Sequence, residues 1–412
     1  MTSKTPLWLP AAEALALMQV RPQTLYANVS RGRVRAKPDA ADPRRSLYHR
    51  DDVQRIAART RGRRSSEAVA SEAIRWGEPV LPSTVSTVEK GRLWYRGQDA
   101  ALLAERATLE EAAGLLWECA PPRFMAMPAP KARSAGAASA APLQAGLLAI
   151  AARAGSDLPS RGRSRAVLQV EAAEVIGTLA DALLGPAGSA AAPLHARLAA
   201  AWRRPRAADV LRRALVLLAD HELNASTFAA RVTASTGASL AACLLTGLCT
   251  LTGPMHGGAA AAVQALVRSA AAIGSEAALR EWLAHERPLA AFGHPLYPQG
   301  DVRCAALLAH IDLPPAFAAL RAAGEKLLGE AVNIDFALAA LATAHRLPAD
   351  APLTLFALAR TVGWTAHVLE QQAAGQLIRP RARYVGVRGA GPAAPDGAPV
   401  NESRVRRRAR TA

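Results

Sequence analysis

Apolar residues near the amino terminus recur at helical spacing. Ala11, Ala14, Leu15 and Met18 fall at i, i+3, i+4 and i+7, which places them on one face of a short helix. Gln19-Val-Arg21 then predicts a turn. Pro22 suits the first position of a second helix, where its missing N–H would have no partner anyway. Leu25 and Val29 would turn toward the first helix, leaving Gln23, Thr24, Ala27, Ser30 and Arg31 toward solvent, and Gly32 ends the element. Arg33-Val-Arg35, a Pro/Asp/Ala-rich tip from Lys37 to Pro43 and Arg44-Arg-Ser-Leu-Tyr48 predict a basic hairpin. Asp51 is a candidate cap for a third helix carrying Val53, Ile56 and Ala57. Farther along, Thr108 and Glu111 have the spacing of a capping box ahead of a buried stripe of Ala112, Leu115, Leu116 and Cys119. Met127 to Ala141 has the composition of a loop, and the alanine-rich run from Ala259 predicts a further helix.

Composition strengthens the helical picture. Of 412 residues, 51% are hydrophobic but only 4% aromatic, and alanine is abundant throughout, which favours close-packed helices over β-branched, aromatic sheet. The chain is long enough for two or three domains. Its formal net charge of +17 implies attraction to something anionic: nucleic acid, a membrane surface or a nucleotide-like ligand such as coenzyme A. Cys119, Cys243, Cys249 and Cys304 lie in apolar surroundings without a C-x-x-C pair, so reduced core thiols are expected. Met1 to Leu9 lacks a long apolar core, and Leu240 to Leu251 is too short an apolar stretch to span a bilayer. The expected location is therefore cytoplasmic, with no membrane partner. No zinc-type H-x-x-x-H pattern or phosphate-binding G-x-x-x-x-G-K-S/T loop occurs, and no metal is expected.

The segment Gln23-Thr-Leu-Tyr-Ala-Asn-Val-Ser-Arg-Gly32, followed by Tyr48-His-Arg-Asp-Asp-Val53, resembles the winged helix-turn-helix of the MerR and excisionase type. The resemblance implies DNA as a partner, with Gln23 and Thr24 at base edges and Arg31, Arg33, Arg44 and Arg45 at phosphates. A protein-contact or dimerisation module is the alternative. On this reading residues 1–62 form the winged domain, 63–79 a linker, 80–388 a catalytic body and 389–412 a disordered basic tail bearing Arg404, Arg406, Arg407, Arg408 and Arg410.

The body carries ordered motifs: Ala219-Asp-His-Glu-Leu-Asn-Ala-Ser-Thr227, Gly253-Pro-Met-His-Gly-Gly258, Phe292-Gly-His-Pro-Leu-Tyr297 and Asn333-Ile-Asp-Phe336. They resemble the citrate synthase family, as do Lys90-Gly-Arg-Leu-Trp-Tyr-Arg-Gly97 and the helix ending near Pro122. The resemblance implies a mostly all-α fold in two parts, a large domain and a small domain at roughly 265–355. It also implies condensation of acetyl-CoA with oxaloacetate, then thioester hydrolysis to citrate and CoA, with acetyl-CoA a substrate and no bound cofactor. Asp335 matches the base, His256 the donor to the developing enolate, and His294 the residue that polarises the ketone. His221, Arg303, Arg360 and Arg379 match the dicarboxylate-binding set. Arg379 would reach across from a partner subunit, which implies a homodimer. Two further expectations come from the residues themselves: the apolar setting of Asp335 raises its proton affinity, and the dipole of the helix from Ala259 keeps the His256 imidazole neutral.

The pattern is not uniform. Leu218 stands where many members have a further histidine, Pro295, Pro298 and Gln299 where many have basic residues near coenzyme A, and Val302 where proline is usual. The 2-methylcitrate synthases share all the catalytic residues, so propionyl-CoA is an alternative donor. A reading from another class is a transcriptional regulator whose body senses an acyl-CoA or a dicarboxylate.

Overall fold

A computed structural model describes residues 7–18, 22–30, 32–39, 42, 45–60, 81–126, 141–185 and 191–382. The expected turn at Gln19 to Arg21, Arg31, Arg44, the loop at 127–140, the linker and the basic tail lie outside the described residues.

At the front, helices Ala11–Met18, Pro22–Ser30 and Arg50–Thr60 pack with three short antiparallel strands. Ser46–His49 is the central strand, flanked by Trp8–Pro10 and Ala36–Pro38, with Tyr48 opposite both Leu9 and Ala36. The first strand was not foreseen, because three residues ending in proline carry no usable alternation. Leu9, Ala14, Met18, Leu25, Val34, Tyr48, Val53 and Ile56 form a core of their own, as helical spacing predicts for Ala14, Met18 and Leu25. Gln23, Thr24 and Ser30 are exposed, Ala27 half-buried. The third helix starts at Arg50, so Asp51 lies within its first turn and is not its cap. Its neighbour Asp52 is buried and ion-paired to Arg35 at 2.8 Å and to Arg55 at 2.6 Å.

The body is built of helices around one continuous apolar core. A three-stranded meander, Ser86–Glu89, Arg92–Tyr95 and Gln98–Asp99, leads into helices Ala100–Ala104 and Leu109–Trp117. The capping box of Thr108 and Glu111 forms as expected. Ala112 and Leu116 are buried, whereas Leu115 and Cys119 are only partly so, and Cys119 lies beyond the end of the helix. Cys249 departs further from the expected core thiols: it is exposed, since it faces outward from the helix Leu240–Leu251.

The helix Ala351–Ala374 is the spine, buried over nearly its whole length against Leu109–Trp117, Arg165–Leu184, Ala208–Leu218, Ala225–Ser235 and Leu240–Leu251. Helices Ala259–Ile273, Ser275–Ala284 and Pro315–Leu328 pack on one another, and Ile334–Ala344 contacts both this group and the spine. Ala259–Ile273 runs unbroken through 265, the expected start of the small domain. No helix among the described residues is long and apolar enough to cross a membrane. Residues 379–412 form a separate unit.

Candidate active site

Each of the matched side chains in the body sits where a helix begins or a turn reverses, except Arg360 and Arg379. His221 occupies the turn between Ala208–Leu218 and Ala225–Ser235, just before the Asn224 cap. His256 lies in the turn ahead of Ala259–Ile273, His294 in the bend after Phe292, and Asp335 in the first turn of Ile334–Ala344. Arg303 opens the helix Val302–Leu308. Arg360 alone projects from the middle of the buried spine.

Ring contacts bring the pieces together. The His221 and His294 rings meet edge to face at 5.1 Å, and both pack on Tyr297, at 5.6 and 5.0 Å. His221 Nε2 is 2.9 Å from the Tyr297 hydroxyl. Arg303 lies over the Tyr297 ring at 5.2 Å. On the other side, Phe356 is shared by His256 (5.8 Å between ring centroids) and Arg360 (4.8 Å from its centroid).

Burial makes the three histidines neutral. Desolvation and the Arg360 charge push His256 down to about 4, and desolvation with Arg303 pushes His294 down to about 4. Desolvation, Arg303 and His294 depress His221 as well. The causes at His256 are thus burial and the Arg360 cation. The backbone N–H of Leu296 donates to His294 Nδ1 at 3.1 Å, so the neutral ring carries its proton on Nε2 and can donate from there. His256 Nε2 lies 2.8 Å from the Ser226 hydroxyl, and Trp364 Nε1 donates to the same hydroxyl at 3.1 Å. The turn that carries His256 is tight: a Cβ at Gly257 would lie 2.7 Å from the Leu251 carbonyl oxygen.

Two charged groups each keep a buried side-chain atom without a partner. Asp335 donates its backbone N–H to Asn333 Oδ1 at 3.1 Å, yet its Oδ1 has no partner, and desolvation raises its pKa to about 7 despite Arg303. Arg360 gives Nε to the Leu218 carbonyl at 2.9 Å and leaves Nη2 buried without a partner; desolvation lowers it to about 10. Buried polar atoms without partners are costly in an unliganded chain and mark where a ligand would complete them.

Arg303 differs. Its Nε and Nη2 pair with both oxygens of Asp301, at 3.0 and 2.8 Å, and Asp301 Oδ2 also accepts the Ile334 N–H at 3.0 Å. Nη1 and the second N–H of Nη2 are left to meet a ligand. Arg379 is exposed and belongs to the separate unit 379–412. Sequence reasoning did not single out Tyr297, Asp301, Ser226 or Phe356. Tyr297, Asp301 and Ser226 lie within or beside the motifs and were open to notice; Phe356 became a site residue only through packing. His367 is fully buried against Asp220 at 3.2 Å. No group of three or more His, Cys, Asp or Glu that could hold a metal occurs among the described residues.

Known proteins resemble this chain in sequence and in fold. The chain is 38% identical over 193 residues to a citrate synthase of Haloferax volcanii, covering 43% of this chain and 50% of that one. It is 35% identical over 187 residues to a 2-methylcitrate synthase of Shewanella oneidensis, covering 42% and 49%. The chain spans about half the length of the curated relatives it matches. Over whole structures the likeness is wider: the crystal structure of citrate synthase from Thermotoga maritima matches with a TM-score of 0.61 and 26% identity, covering 79% of this chain and 97% of that one. The sequence profile of the family described as "Citrate synthase, C-terminal domain" matches residues 74–381. The chain therefore belongs to the citrate synthase family.

Proposed function

We propose that the protein condenses acetyl-CoA with oxaloacetate and hydrolyses the resulting thioester to citrate and CoA. The observation that carries the reading is Asp335: a carboxylate with a free Oδ1, raised to about 7, in a pocket whose histidines are neutral. A base for a weakly acidic methyl group has to be unpaired and of high proton affinity, and this one is both. Asp335 takes the methyl proton while neutral His256, steadied by Ser226, stabilises the developing enolate oxygen. His294, with its proton on Nε2, polarises the ketone and protonates the new alkoxide. Arg360 Nη2 and Arg303 Nη1, with His221, bind the carboxylates of the acceptor. Water then cleaves the thioester and releases CoA.

The test is the appearance of free CoA thiol from acetyl-CoA plus oxaloacetate, with propionyl-CoA in parallel. Faster turnover of propionyl-CoA would favour the 2-methylcitrate reaction, which the same residues serve. No thiol from either donor would favour the regulator reading, in which the body only binds metabolites. Arg379 completes the acceptor site from the partner subunit of a homodimer on this reading. Mixing Arg379→Ala with Asp335→Asn subunits should restore activity in the heterodimer, where one site is intact. No recovery after confirmed subunit exchange would place Arg379 in its own chain.

The front module is read as a winged helix-turn-helix that binds DNA. The exposure of Gln23, Thr24 and Arg33 favours it, since base and phosphate contacts both need accessible side chains; Arg45 is exposed as well, though ion-paired to Asp42 at 3.2 Å. Arg31 and Arg44 would add phosphate contacts, and the tail would add non-specific affinity.

A further inference from the structure

The face that the front module turns to the body carries a lysine at a helix end. Lys37, on the strand Ala36–Pro38, has its ammonium 4.5 Å from the centroid of the Trp8 ring, so an aromatic face holds it. The same ammonium lies against Gly329. Gly329, with φ 66°, is the left-handed carboxyl cap of the helix Pro315–Leu328, whose last carbonyls present the negative end of the helix dipole. A cation is favoured at that point.

Glu330, the next residue, faces two ways. Its carboxylate acts on the buried His49 of the module, where it opposes the lowering by burial and Arg35. It also covers Gly293 so closely that a Cβ there would collide with it. Beyond Glu330 the chain is laced to the His294 bend: Gly293 N–H donates to the Ala331 carbonyl at 2.9 Å, Asn333 N–H to Ala291 at 3.0 Å, and Phe292 bridges Val332. Asn333 then caps the helix that carries Asp335. Meanwhile Gln23, Thr24 and Tyr26 on the helix Pro22–Ser30 stay exposed.

We propose that the front module docks through Lys37 on the carboxyl end of the helix Pro315–Leu328, and that this contact, relayed by Glu330, positions the Gly293–His294 turn. The docked module is then part of the acceptor site's support, although neither Lys37 nor Glu330 touches substrate. Whatever engages the exposed helix and shifts the module acts on His294, and by thermodynamic reciprocity the acceptor acts on the module's affinity for its own ligand. The inference rests on the reading of His294 as the residue that meets the acceptor.

The full-length protein tests it with Lys37→Glu, Lys37→Arg and Glu330→Gln. Oxaloacetate KM and kcat are measured by CoA release, and hydrogen exchange is followed at the amides of residues 291–297. Lys37→Glu should raise KM by about two- to five-fold, the range expected for reversing a charge at a helix end, with kcat little changed. The Gly293 amide should exchange faster in Lys37→Glu and Glu330→Gln, and Lys37→Arg should behave as the unmodified protein. Unchanged KM and exchange in Lys37→Glu would overturn the proposal, as would an equal loss in Lys37→Arg, which keeps the charge. Absence of CoA release from the unmodified protein would instead sink the enzymatic reading, and hydrogen exchange would still decide whether the contact exists.

Discussion

The front module and the pocket of the body bury carboxylates in opposite ways. In the module, burial raises the proton affinity of Asp52, but hydrogen bonds and charge from Arg35 outweigh it and hold the carboxyl below its usual range. In the pocket, desolvation raises Asp335 to about 7, and the charges of Arg303 and Arg360 offset only part of it, since the hydrogen bonds of Arg303 go to Asp301. The first arrangement secures a small fold; the second leaves a carboxylate poised to accept a proton. Asp301 makes the same point within the body: it is buried, yet Arg303 holds it low, and its role is to orient. Buried charge alone thus says little about chemistry. What distinguishes Asp335 is that its partner has been assigned elsewhere.

The strongest way to break this contrast is Asp335→Asn. Condensation should fall by about a thousandfold or more, the scale of a lost general base, while oxaloacetate binding measured by calorimetry persists. Turnover near that of the unmodified protein would remove Asp335 from the mechanism.

The pH dependence sharpens it. Asp335 must be unprotonated to act, so kcat/KM should rise about tenfold per pH unit on the acid side and level off near 7. His256 and His294, both near 4, stay neutral across that range and should not bend the profile. The signs for stability also differ. Folded Asp335 holds its proton more tightly than the unfolded chain does, so its contribution declines as pH rises from the ordinary carboxylate range through about 7. The two histidines hold theirs more weakly, so their contribution is lost as pH falls from about 6.5 toward 4. Asp335→Asn should therefore be more stable than the unmodified protein at pH 8 and lose that advantage at pH 5, as thermal melts would show. An advantage that does not change with pH would contradict the raised carboxyl.

The smallest expected effect lies in the module. In a competition among many duplexes, Gln23→Ala with Thr24→Ala should flatten sequence preference by about 1–3 kcal/mol per base pair read, leaving salt-dependent binding nearly intact. If the unmodified protein shows no preference, the module is a protein-contact element, and its exposed helix no longer parallels the pocket as a ligand surface.

Local order was well exposed in the amino acids themselves. Helical spacing in 11–18 and 108–117, Pro22 at a helix start, the Thr108–Glu111 box and the framed motifs around His256, His294 and Asp335 all follow from interactions within a few residues, which is why they could be read along the chain. Even the desolvation of Asp335 was visible in its apolar neighbours. Three things were not. The strand Trp8–Pro10 exists only because Ser46–His49 comes to lie beside it. Tyr297 became a site residue by bonding His221, 76 positions away. Arg303, an acceptor ligand by its motif, proved to be largely committed to Asp301, while Arg360 kept a free Nη2. The sequence by itself determined which side chains were available and how each was locally framed. Only the tertiary structure decided which charges neutralise one another and which remain open, because burial and ion pairing depend on groups that distant segments bring together.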